Sequence, residues 1–113
     1  MIFEIKITQP AQDDLRGIYK YISEDLQNHT AASNMISKID KRIQSLKKSP
    51  ERYPLVRDSY LASKGFRVTV VKNYLVFFII RKVTKSVSVM RVLYGRRDWL
   101  RILSVDANEL SEE

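Results

Sequence analysis

Phe3, Ile5 and Ile7 alternate with Glu4, Lys6 and Thr8, the two-residue period of a half-buried strand. At Thr8-Gln9-Pro10 the period changes. Thr8 is suited to cap a helix, Pro10 to sit in its first turn, and Asp13 with Asp14 to lie near the positive end of its dipole. Ala11, Leu15, Ile18, Ile22 and Leu26 then repeat at the helical period and form one apolar stripe, so a helix of about five turns is predicted, with Gly17 its weak point. Asn28-His29-Thr30 interrupts the pattern. Thr30 is expected to cap a second helix with the stripe Met35, Ile39, Ile43 and Leu46, and Pro50 stops it. So short a connection sets the two helices antiparallel, as a hairpin whose stripes need a sheet to cover.

Residues 49–65, with Pro50, Pro54, Gly65 and scattered charge, read as one long loop. Phe66, Val68 and Val70 alternate with Arg67, Thr69 and Val71, Lys72-Asn73 reads as a tight turn, and Tyr74 to Ile80 is apolar on both faces, as a central strand is. In the next strand, Ser86 to Tyr94, strict alternation puts Val87, Val89, Arg91 and Leu93 on one face and Met90, Val92 and Tyr94 on the other. Gly95 ends it. Residues 98–103 make a short helix, and residues 106–113 read as an acidic, flexible tail to a single domain of residues 1–105. The predicted fold class is α+β: a helical hairpin packed on a mainly antiparallel four-stranded sheet, in the order β-α-α-β-β-β with a short C-terminal helix. Its second sheet face is left free to bind something.

Charge adds a partner class. The chain has 20 Lys and Arg against 13 Asp and Glu, and 17 of the basic residues fall between Lys38 and Arg101, so an anionic partner is expected: RNA, DNA or an acidic protein segment. With no Cys and one His among 113 residues, disulfides, thiolate metal sites and His-pair catalysis are excluded. No metal or cofactor is implied, and no Walker loop, dinucleotide fingerprint or Ser-His-Asp set is present. The N-terminus does not read as a signal peptide and no stretch reads as a membrane span, so a cytoplasmic location with no membrane partner is expected.

The most distinctive segment is Arg91-Val-Leu-Tyr94-Gly95-Arg96-Arg97-Asp98-Trp99. It sets three guanidinium groups, a phenol and an indole around a strand end, where Arg suits bidentate phosphate contacts and aromatic rings stack on unpaired bases. Arg67, on another strand of the same sheet, is expected to join them. If the chain were a metal-independent ribonuclease, Arg would stabilise the phosphorane, but Arg is a poor base and Tyr94 is the one proton-transfer group inside the motif. Structural roles are open to the same residues: Arg91 can pair with an acid, Trp99 and Leu103 can anchor the last helix, and Arg96 with Arg97 can be solvated. Tyr19 and Tyr21 read as packing residues, and His29 as a surface or capping residue.

Taken together, Thr8-Gln-Pro-Ala11 leading to Asp14-Leu15 and Ile18-Tyr-Lys-Tyr21, Ser49-Pro50, Gly65-Phe-Arg67, Asn73-Tyr-Leu-Val-Phe-Phe78 and Arg91-Val-Leu-Tyr-Gly-Arg-Arg-Asp98 resemble the RelE/ParE superfamily of type II toxin–antitoxin toxins over residues 2–103. The resemblance implies a helical hairpin on a curved antiparallel sheet, a cognate antitoxin as partner, and binding to operator DNA only through the toxin–antitoxin complex. Two actions occur in the superfamily: RelE-type cleavage of mRNA on the ribosome, and ParE-type block of DNA gyrase. On the RelE-type pattern Arg67, Tyr94 and Arg97 would be catalytic, with Arg91, Arg96 and Trp99 holding nucleic acid or target. That pattern is matched only in part, because Thr69, Leu75 and Leu103, or its neighbour Ile102, stand where a second Lys, an Arg and a Tyr belong. The long hairpin and the Arg-Val-Leu-Tyr-Gly ending resemble the ParE branch more closely.

Overall fold

The computed structural model describes residues 2–111. Strand β1 (Glu4–Ile7) leads to helix α1 (Gln9–Lys20), which continues as a single π turn (Tyr21–Asp25), and then to α2 (His29–Ser45). Thr8 ties the first two together: its hydroxyl oxygen accepts the Ala11 amide while its O–H donates to the Val89 carbonyl at 2.9 Å, so the cap of α1 is also fastened to the sheet. Asn28, not Thr30, caps α2, accepting the Ala31 amide at 2.9 Å, because the helix begins two residues earlier than the polar break indicated. The π turn explains the other departure in the hairpin. An extra residue in that turn advances the phase of the chain, so Leu26, expected on the stripe, is 56% exposed.

Beyond α2 the expected loop holds a 3₁₀ turn (Pro50–Arg52) and a short helix α3 (Ser59–Ser63) capped by Asp58. Strands β2 (Phe66–Val71), β3 (Tyr74–Arg81) and β4 (Ser86–Tyr94) follow, joined through the two-residue turn Lys72-Asn73 and the charged turn before Ser86. The sheet order is β1-β4-β3-β2. The β2–β3 and β3–β4 pairs are antiparallel, but β1 lies parallel to β4, so the sheet is mixed.

Helix α1, the π turn and α2 bury Ala11, Ile18, Ile22, Ala32, Ile39 and Ile43 against Val71, Val76, Val89 and Val92. The second face, expected to be free, has its own core: Val56, Leu61, Phe66, Phe77, Ile79, Met90, Leu93 and Leu103. That cover comes from α3 and from α4 (Trp99–Ser111), a helix of 13 residues and so longer than its apolar start at 98–103 indicated. Residues 106–111, read as tail, continue it, with Ala107 fully buried; Glu112 and Glu113 lie outside the described residues.

Between Phe77 and Phe78 the β3–β4 register slips, Phe77 facing Arg91 and Phe78 facing Val89, with Met90 as the extra residue of a β-bulge. Strict alternation therefore fails in β4. Val87 and Val89 share the hairpin side with Val92, while Met90 and Leu93 face α4. The bulge turns Tyr94 toward the helical hairpin.

Candidate functional site

Strand β1 is only four residues long, so β4 loses its strand neighbour beyond Val89. Asp14 takes that place. Its carboxylate accepts the Val92 backbone N–H at 2.9 Å and the Arg91 side chain at two points, 2.7 Å from Nε and 2.8 Å from the second nitrogen. Arg91 also reaches Asp106 of α4 at 3.6 Å. One guanidinium thus bridges the helices on opposite faces of the sheet around its open edge. The Asp14 hydrogen bond, ahead of the opposing effect of burial, pushes the Arg91 pKa up, so its charge is permanent and already matched.

Next to this bridge the end of the sheet opens into a groove. Tyr74 begins β3 and Tyr94 ends β4; the two are directly paired in the ladder and their rings meet edge to face at 5.9 Å. Tyr21, at the start of the π turn, stands over them. Gly95 follows at a point where the chain touches the Lys72-Asn73 turn: its N–H donates to the Asn73 carbonyl at 2.8 Å, and a Cβ there would come within 3.3 Å of that oxygen. The tight passage sends Arg97 back over the groove. Two adjoining hollows of about 400 and 600 Å³ result, both lined by Tyr21, Tyr74, Tyr94 and Arg97. The first is the more polar, with Asp13, Asp14 and Gly17; the second is more apolar, with Ile22, Leu26, Ala31 and Met35.

Burial, with Tyr21 and Tyr94 close by, pushes the Tyr74 hydroxyl above its ordinary 10.0. It stays protonated at neutral pH, a hydrogen-bond donor and not a base. Arg97 is exposed and, among the described residues, has no ion pair. The groove can therefore hold aromatic, apolar and hydrogen-bonding groups and one negative charge.

Of the residues singled out in the sequence, only Tyr94 and Arg97 meet here. Arg67 faces Phe78, four residues along β3 from Tyr74 and so roughly 13 Å away at strand rise. Its guanidinium donates to the Tyr53 carbonyl at 2.6 Å and the Glu51 carbonyl at 3.3 Å, fastening the 50–56 segment to the sheet. Trp99 is on the opposite face, its ring tilted against Phe77 with centroids 5.5 Å apart. Arg96 is exposed in the turn. Tyr21, read as a packing residue, is half exposed and lines the groove, and Tyr19 is also exposed. His29 is an exposed first residue of α2. Asp14 carried one usable signal: an Arg inside an apolar strand calls for an acid.

Residues 5–99 match the family model of the ParE toxin of the type II toxin–antitoxin system parDE. The chain belongs to the ParE toxin family. The fold of this ParE-family chain is similar to one in the chromosomal ParDE toxin–antitoxin system of P. aeruginosa, with a TM-score of 0.68 and 19% identity over 82% of this chain and 96% of that one. It is also similar to a chain of the RelBE2 toxin–antitoxin complex of Mycobacterium tuberculosis, with a TM-score of 0.60 and 17% identity over 83% of this chain and 99% of that one. No curated protein sequence matches it. Among the described residues no helix is long and apolar enough to cross a membrane.

Proposed function

We propose that this ParE-family chain is restrained by a cognate antitoxin and, when free of it, arrests growth by engaging DNA gyrase through the tyrosine–Arg97 groove, without cleaving mRNA. Action in the cytoplasm, and operator binding only as the antitoxin complex, are part of this reading. The observation that supports it is the dispersal of the arginines. Hydrolysis through a ribose 2′-hydroxyl needs several cations around one phosphorane and a group able to take a proton. Arg91 is matched by Asp14 and Asp106, Arg67 is tied to backbone carbonyls elsewhere, and the groove keeps Arg97 alone beside the carboxylates of Asp13 and Asp14. Both carboxylates are already paired, Asp14 with Arg91 and Asp13 with Arg16, so among the described lining residues Arg97 is the one unpaired cation offered to a phosphodiester. Tyr74 and Tyr94 supply donors and ring faces, as a protein-binding surface does.

Purified antitoxin-free protein is added to a gyrase supercoiling reaction and, separately, to a defined mRNA with and without translating ribosomes. Loss of supercoiling with intact mRNA is expected, and Arg97→Ala restores supercoiling. New RNA ends that appear only with ribosomes, mapped by primer extension, would overturn this reading in favour of a RelE-like ribosome-dependent endoribonuclease.

A further inference from the structure

Lys38, Lys41, Arg42 and Ser45 fall at i, i+3, i+4 and i+7 of α2, which places them on one face of the helix, away from Asp40 and beside the buried Ile39 and Ile43. Lys72, in the β2–β3 turn, closes the other side of a notch of about 480 Å³ lined by these residues and Val71. Like charges one turn apart on a helix repel. Helix-dipole relief does not account for them, since only Arg42 lies in the last turn. No carboxylate lines the notch, and among the described residues none of Lys38, Lys41, Arg42 and Lys72 has an ion pair. Arg42 is held rigid, donating to the Thr69 hydroxyl at 2.6 Å and the Val70 carbonyl at 2.8 Å.

We propose that this notch is a second binding site, distinct from the tyrosine groove, for the phosphate backbone of duplex DNA, a sequence-independent contact separate from the operator recognition that belongs to the antitoxin complex. An acidic peptide helix would need apolar anchors, and Val71 is the one apolar side chain here. A single strand would need a free ring face for its bases. The ring beside Arg42, Tyr53, is covered by Arg52 at 4.6 Å and lies 5.9 Å from Arg42 itself. What remains is a cluster of point charges that meets phosphates without reading sequence.

The test is fluorescence anisotropy of the full-length protein with a labelled mixed-sequence duplex across a salt series. The exposed lysines are replaced together in K38Q/K41Q/K72Q, and K6Q/K82Q/K85Q is the charge-matched control, also at exposed positions. Each lost phosphate contact lowers the slope of log K against log salt by about 0.9, so the triple variant should lose about 2.7 of slope while the control keeps nearly all of it. Equal losses in the two variants would overturn the site. So would tighter binding of a poly-glutamate peptide or a single strand through the same lysines. Supercoiling and RNA-cleavage results do not enter, so the failure of this inference is separable from that of the groove's proposed role.

Discussion

Asp14→Ala isolates the bridge at the open edge of β4. The substitution removes three hydrogen bonds from one carboxylate, leaves the Val92 N–H without its partner, and leaves Arg91 with Asp106 at 3.6 Å alone. Breaking a fully buried pair costs about 3–5 kcal/mol. Here the side chains of Arg91 and Asp14 are 17% and 9% exposed and the edge admits water, so we expect about 2–3 kcal/mol. For a chain of this size that lowers Tm by about 10 °C. Asp14→Asn keeps an acceptor for Val92 and loses only the charge, so it should cost about half as much. Urea unfolding followed by circular dichroism measures both, with an unchanged m-value showing that the denatured state is not the cause. Asp13→Ala is the control one residue away: Asp13 pairs with Arg16 in full solvent, and its loss should leave the midpoint where it is. If Asp14→Ala unfolded with the wild-type midpoint, the carboxylate would not be what closes the edge.

Asp106 offers a pH test. Burial, outweighing the attraction of Arg91, raises its carboxyl above 3.8, so the folded state binds this proton more tightly than the unfolded chain and stability falls as pH rises through that interval. Asp106→Asn should remove that decline, measured as the urea midpoint between pH 3.5 and 7. A Cβ at Gly17 would meet nothing within 4 Å, so Gly17→Ala should stabilise by about 0.5–1 kcal/mol without loss of growth arrest, whereas Gly17→Phe should occupy the groove and relieve arrest in a plating assay. Tyr94→Phe keeps the ring pair with Tyr74 and should retain most of the toxicity on the gyrase reading; a hundredfold loss would mark the hydroxyl as a proton donor.

Local pattern carried much of the fold because its causes are local. The alternation at Phe3 to Ile7, the stripe through Ala11, Leu15, Ile18 and Ile22, and the turn at Lys72-Asn73 each follow from neighbours within a few positions. The parts that escaped are set at a distance. Met90 is accommodated as an extra residue only because Phe77 and Phe78 pair as they do across the ladder, and no alternation within β4 reveals it. The length of α4 depends on Leu103 and Ala107 finding Phe77 and Leu93 beneath them, which the acidic composition of that segment masks. For the site, chemistry was easier to read than position. Tyr94 and Arg97 come together at the strand end, but Arg67 proved a fastener for the 50–56 segment and Tyr21 became a groove residue through the π turn.

The parallel pairing of β1 with β4 joins Glu4 to Ser86 and Ile7 to Val89. During synthesis at roughly 5–20 residues per second, β1 leaves the ribosome's active centre about 4–16 s before its strand partner is made. Through that interval α1 and α2 have no β4 to cover, and the groove does not exist, because Tyr94 and Arg97 are not yet attached. The long-range closure also makes folding slow relative to a chain built from local contacts. A nascent or truncated chain ending before Tyr94 therefore cannot present the groove, and its assembly waits on Arg97, translated after all four strands.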